Sequence, residues 1–135
     1  MRLALEIVSP DRLLLSKPVD MVVIPAAEGE LGVLPLHSPM IVMLRGGTIR
    51  TYENEKVSST LYVAGGFAEI TPERCTVLAN EAIPVSDVSR AEGERRLAEA
   101  EAEFNAADKM DMTALDAAQD RMQSARAMIE AAGAA

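Results

Sequence analysis

The residues predict an antiparallel β-sandwich or barrel of eight to ten short strands over residues 1–86, followed by an antiparallel two-helix hairpin over residues 87–135. Three observations carry that prediction. All seven prolines precede residue 86, together with nearly all the β-branched residues. Beyond that point there is no proline and 15 of the 49 residues are alanine, so strand formers give way to helix formers. Upstream of the boundary, short apolar runs alternate with turn residues; downstream, apolar positions recur at helical spacing.

Taken in order, Arg2 to Val8 alternates around Leu3, Leu5 and Ile7, and Ser9-Pro10-Asp11 turns the chain. Arg12 to Ser16 and Val19 to Ile24 follow, separated by Lys17-Pro18. Met40 to Leu44 and Thr48 to Tyr52 read as two strands with a turn at Gly46-Gly47, and Glu53-Asn54-Glu55 as a hairpin. Lys56 to Val63, Phe67 to Ile70 and Arg74 to Leu78 complete the set, with Gly65-Gly66 and Thr71-Pro72-Glu73 between them. The first helix starts near Ser86 or Asp87, with Ser89 and Glu92 spaced as a capping box. The second is capped by Asp111 or Thr113 and ends near Ala132, before Gly133. Leu115, Ala118, Met122, Ala125, Ile129 and Ala132 form its seam, facing Val88, Ala91, Leu97, Ala98 and Phe104 of the first helix. Alanine buries little apolar surface, so such a hairpin depends on what it docks against and reads as a movable arm.

Charge and composition exclude several functions. A formal net charge of −8 argues against nucleic acid and against a polybasic membrane contact. No apolar run is long enough to span a bilayer, and the N-terminus lacks the continuous apolar stretch of a signal peptide. The single cysteine, Cys75, lies in a strand-like run and reads as a small buried residue rather than a reactive thiol. The methionines read as core and seam filler. With one histidine, no nucleophile elbow, no P-loop and no metal-ligand spacing, no catalytic or metal-binding residues are assigned.

The stretch Glu28 to Pro39, EGELGVLPLHSP, is unusual for a connector between two apolar runs. Glu28 and Glu30 flank Gly29, Gly32 frees the backbone, and Pro35 and Pro39 stiffen the exit around His37 and Ser38. It reads as a rigid edge presenting polar groups to a partner. With Val8-Ser9-Pro10, Gly65-Gly66-Phe67-Ala68-Glu69-Ile70, Val77-Leu78-Ala79 and Asp87-x-x-Arg90-Ala91, in this order and spacing, the chain resembles the epsilon subunit family of bacterial F-type ATP synthases over essentially its whole length.

That resemblance implies a ten-stranded sandwich with a two-helix hairpin in the central stalk of the rotor. It implies a non-catalytic piece of a proton-translocating complex, peripheral to the cytoplasmic face of the bacterial inner membrane. The gamma subunit and the c-ring are its implied partners, with Glu28, Gly29, Glu30, Gly32, His37, Ser38 and Pro39 at the contact, and alpha and beta subunits meet the hairpin. The family commonly has glycine between proline and histidine where Leu36 stands here. No resident cofactor is implied, but Asp87 and Arg90 resemble the start of an ATP-binding element of some members, with Arg126 as a helix-two arginine facing phosphate. Read from the residues alone, the same positions are an N-cap aspartate and surface arginines. Inhibition by an extended hairpin is a further family trait. Residues 87–135 hold 11 acidic and 6 basic residues, so an acidic surface on the catalytic head would repel this arm. A free-standing nucleotide sensor is the competing reading of the same architecture.

Overall fold

The alternation of buried residues changes phase once in each of the two longest strands, and those slips shape the fold. The computed structural model describes residues 1–134. In chain order the strands are β1 (Leu3–Val8), β2 (Leu13–Val19), β3 (Met21–Ala26), β4 (Gly29–Val33), β5 (Met40–Glu53), β6 (Lys56–Ile70), β7 (Arg74–Ala79) and β8 (Ala82–Pro84). In β5 the core positions run through Leu44, then shift to Ile49 and Thr51; in β6 they run through Leu61 and Val63, then shift to Ala68 and Ile70. A change of parity means that a strand has turned its other face inward. Both changes fall at the glycine pairs Gly46-Gly47 and Gly65-Gly66.

These pairs were expected to be turns between separate strands. Instead the chain runs through them, and β5 and β6 stay paired from Met40↔Ile70 to Glu53↔Lys56. Each long strand contributes one half to each layer. The first layer holds β4, β3, the second half of β5, the first half of β6, and β8. The second holds β2, β1, β7, the second half of β6 and the first half of β5. The sandwich is therefore built from eight continuous strands, not ten. Gly66 shows why the corner needs glycine: its φ is +123°, and a Cβ there would fall 2.1 Å from the Leu78 carbonyl oxygen.

The sheet is mixed rather than purely antiparallel. β1 pairs with β7 in parallel, Leu5 beside Cys75 and Ile7 beside Val77. The two strands are far apart in the chain, so no tight turn dictates their relative direction. All four of these side chains are buried between the layers. The EGELG segment also differs from expectation: Gly29–Val33 is not a connector but an edge strand forming a hairpin with β3.

A short 3-10 turn, Val85–Asp87, leads into α1 (Arg90–Ala106) and then α2 (Met112–Ala134). Ser89, not Ser86 or Asp87, caps α1, its Oγ accepting from the Glu92 N–H at 3.2 Å. The Glu92 carboxylate does not close a capping box; it binds Arg95 and Arg96 instead. Asp111 caps α2 by accepting from the Ala114 N–H at 3.1 Å. The helix continues through Gly133 rather than stopping before it. The seam of α2 meets a different stripe of α1 from the one expected. Gly93 and Ala100 are buried there, whereas Ala91 and Ala98 are exposed. A Cβ on Gly93 would fall 2.9 Å from Cγ1 of Ile129, so a residue without a side chain sets the interhelical spacing.

Candidate contact surfaces

Three regions carry side chains with something to bind. The first is the EGELG edge. Gly29, with φ +139°, forms the turn from β3 into β4 and leaves Glu28 and Glu30 exposed on either side of it. Glu30 accepts from Arg50, Nη1 to Oε2 at 3.0 Å, which orients its carboxylate while keeping it at the surface. Gly32 pairs with Val23 in the same hairpin. Beyond β4 the chain crosses to β5. There the His37 N–H donates to the Leu34 carbonyl at 3.2 Å, and Ser38 and Pro39 are exposed. His37 Nδ1 lies 2.8 Å from the Ser38 carbonyl oxygen. A carbonyl only accepts, so Nδ1 carries the proton in this bond and Nε2 is left to meet another group. Glu28 to Glu30 therefore belong to the entrance of β4, and His37 to Pro39 to its exit.

The second region went unnoticed in the sequence. Register pairs link Met43 to Phe67, Phe67 to Leu78, Leu78 to Val8, and Val8 to Leu13 at the bulge of β2. These five side chains form one apolar row across the outer face of the second layer. Met43 is 63% exposed, Phe67 39%, Leu78 40% and Leu13 55%, and Ile41 stands exposed beside them. Contiguous exposed apolar surface of this kind marks a contact site. Met40 to Leu44 had read only as a strand, with every residue in it apolar. The missing polar alternation was the signal: one face serves the core and the other is apolar yet open to solvent. For Met43, as for the exposed Met110 and Met112, core filling is not the role.

The third region is the seat of the hairpin. α2 lies against the corner of β5 and β6, burying Met128 and Ala131 with Tyr62 and Val85. The Tyr62 hydroxyl donates to the Ser124 carbonyl at 2.9 Å. Burial, with Glu81 nearby, pushes the Tyr62 phenol up to about 12, so it remains a neutral donor at any physiological pH. Arg96 of α1 grips the Glu81 carboxylate with both terminal nitrogens, at 2.5 and 3.0 Å. The hairpin is thus folded down on the sandwich.

The three residues singled out for nucleotide are not gathered. Asp87 is exposed in the 3-10 turn, and Arg90 pairs with Glu94 one turn along α1 at 3.0 Å. Arg126 lines a groove of about 850 Å³ between α2 and β5 that includes Arg45, Arg50 and Glu130 but neither Asp87 nor Arg90. Cys75 is fully buried, and burial pushes its thiol up to about 12, which keeps it protonated and inert.

Comparison with known proteins adds to this geometry. A family profile described as "ATP synthase, Delta/Epsilon chain, beta-sandwich domain" matches residues 2–85. A protein of Granulibacter bethesdensis named "ATP synthase epsilon chain" is 68% identical over 129 residues, 96% of each chain. One of the same name from Gluconacetobacter diazotrophicus is 47% identical over 133 residues, covering 98% of this chain and 94% of that one. The fold is similar to a chain in the cryo-EM structure of Euglena gracilis mitochondrial ATP synthase, OSCP/F1/c-ring in rotational state 1, with a TM-score of 0.77. That likeness covers 96% of this chain and 81% of the other at 22% identity. A second similar chain, from the central stalk/c-ring of Tetrahymena thermophila mitochondrial ATP synthase, gives a TM-score of 0.71 at 14% identity, covering 98% and 97%.

Proposed function

Because the chain belongs to the epsilon-chain family of F-type ATP synthases, we propose that its sandwich is the piece of the rotor that joins the central shaft to the membrane ring. The family's role is non-catalytic, within a complex that couples proton flow to ATP synthesis. In this reading the apolar row Met43, Phe67, Leu78, Val8 and Leu13 is the face that grips the gamma subunit. The row is the observation that carries the proposal: it is an exposed surface with the apolar continuity that a stable protein contact requires.

Glu28, Glu30 and His37, with the backbone at Gly29, Gly32, Ser38 and Pro39, make the second contact, with the polar loops of the c-ring. Two exposed carboxylates suit cationic loop residues, and the Arg50 contact holds Glu30 in one orientation for them. Residues 1–86 then act as the coupling body and residues 87–135 as the arm lying against it. Among the described residues no helix is long and apolar enough to cross a membrane. The protein is held at the cytoplasmic face of the inner membrane by the complex.

Replacing Phe67, at the middle of the row, with aspartate tests the reading. Phe67→Asp should leave the isolated chain folded, since Phe67 faces outward, and should abolish co-purification with gamma. Retention of gamma by the folded variant would sink the assignment. For the second contact, Glu28→Lys with Glu30→Lys should lower the yield of ATP synthesis per proton translocated in assembled membranes; unchanged coupling overturns it.

A further inference from the structure

The connection leaving β4 holds a conformation that its sequence disfavours. Leu36 sits at φ +69°, in the left-handed region that costs a side chain with a Cβ and favours glycine. Such backbone persists where something over-determines it. Within the chain the restraints are the turn from Leu34 to His37, with Pro35 at its second position and the His37 N–H closing on the Leu34 carbonyl at 3.2 Å, and the Leu36 N–H donating to the Pro72 carbonyl at 2.8 Å. The side chain gains nothing internally, for Leu36 is 66% exposed. Glycine would make the same backbone bond without strain. A leucine that destabilises its own loop and packs against little of its own chain has its use elsewhere.

Its surroundings indicate what kind of use. Pro72 follows the end of β6, where Ile70 pairs with Met40, so the Pro72 bond brings Leu36 beside the start of β5. Leu34 is 55% exposed on the same connection, and Met40 at its end is exposed too. His37, the next residue, offers its Nε2 beside this apolar group. We infer that Leu36 is an apolar anchor, held outward by the Pro72 bond, that seats against an apolar side chain on the c-ring loop which the adjacent His37 meets. This rests on the reading that the EGELG edge and the His37 connection face the ring. It adds that the contact is not purely polar and that Leu36 sets how tightly it holds. Charge pairs at a rim orient and steer, whereas a desolvated aliphatic anchor slows dissociation.

The test uses the full chain rebound to membrane vesicles that retain the rest of the ATP synthase but have been stripped of this subunit. Leu36→Gly relaxes the backbone and removes the anchor; Leu36→Asn tolerates the left-handed region and is polar. Both variants, isolated, should melt no lower than the parent, with Leu36→Gly at or above it. Both should rebind roughly ten- to a hundredfold more weakly, the loss of one leucine side chain from a buried contact. If both melt well below the parent, Leu36 serves its own fold and the inference is overturned. If they rebind like the parent while Glu30→Lys weakens rebinding, the anchor is wrong and the ring-facing reading stands. If Glu30→Lys also rebinds like the parent, the ring-facing reading fails, and the anchor with it.

Discussion

Gln123 of α2 binds both polar groups of Gly46 in β5: its Oε1 accepts from the Gly46 N–H at 2.9 Å and its Nε2 donates to the Gly46 carbonyl at 2.7 Å. The reason lies in the sheet. Between the pairs Val23↔Arg50 and Ala26↔Leu44 the register of β3 against β5 slips, so the backbone of Gly46, in register with Ala64 of β6 on one side, has no strand on its β3 side. A side-chain amide carries the same donor and acceptor as a peptide unit, and Gln123 takes the place of the missing strand. A Cβ at Gly46 would fall 2.5 Å from Cα of Ser124, so glycine is also what lets α2 come close enough.

Gln123→Leu leaves that donor and acceptor unpaired beneath the helix. It should cost about 1–3 kcal/mol of docking stability. Hydrogen exchange at the Gly46 amide should accelerate together with that of α2, while the β1 amides stay protected. Uniform protection across both regions would mean that Gln123 does not hold the arm. Gly46→Ala should undock the hairpin more severely, because the clash is with backbone.

Acid should weaken the far end of the sandwich. Lys17 foremost, then Ser58 and Arg2, hold the Glu53 carboxyl down at about 2, below its ordinary 4.5. A carboxyl lowered on folding contributes stability that is complete above the unfolded value and is lost as pH falls toward the folded one. The urea midpoint should therefore decline between about pH 4.5 and 2. Glu53→Gln should lower the midpoint at pH 7 and flatten that decline; an unchanged slope would show that Glu53 is not its source.

The tight turn after β5 carries a correctable strain. Asn54 and Glu55 have φ of +54° and +67°, the type I′ pattern in which asparagine followed by glycine is preferred. Glu55→Gly should raise stability by about 1 kcal/mol, which is roughly 3–6 °C in Tm. A lower Tm would show that the Glu55 side chain contributes more than its backbone costs.

Cys75 should be silent toward thiol reagents. Its burial beside Leu5 and its raised thiol pKa predict no maleimide labelling of the native chain at pH 8, and complete labelling in urea. Rapid labelling of the native protein would contradict the packing of β1 against β7.

The linear chain by itself determined the division into strands and helices, because proline, β-branched residues and alanine act through local backbone preference. It narrowed the caps to Ser86, Asp87 or Ser89 and to Asp111 or Thr113 without choosing among them, and it carried the burial of Cys75 and the acidic edge at Glu28 and Glu30. Tertiary structure decided what depends on who lies opposite. Gly46-Gly47 and Gly65-Gly66 look like turns in the sequence, and only the β5–β6 pairing shows strands passing through them into a second layer. In the same way Met40 to Leu44 is uniformly apolar, and the positions of the neighbouring strands alone make Ile41 and Met43 outward and Leu44 inward. A residue's burial is a relation between two surfaces, and one of them lies elsewhere in the chain.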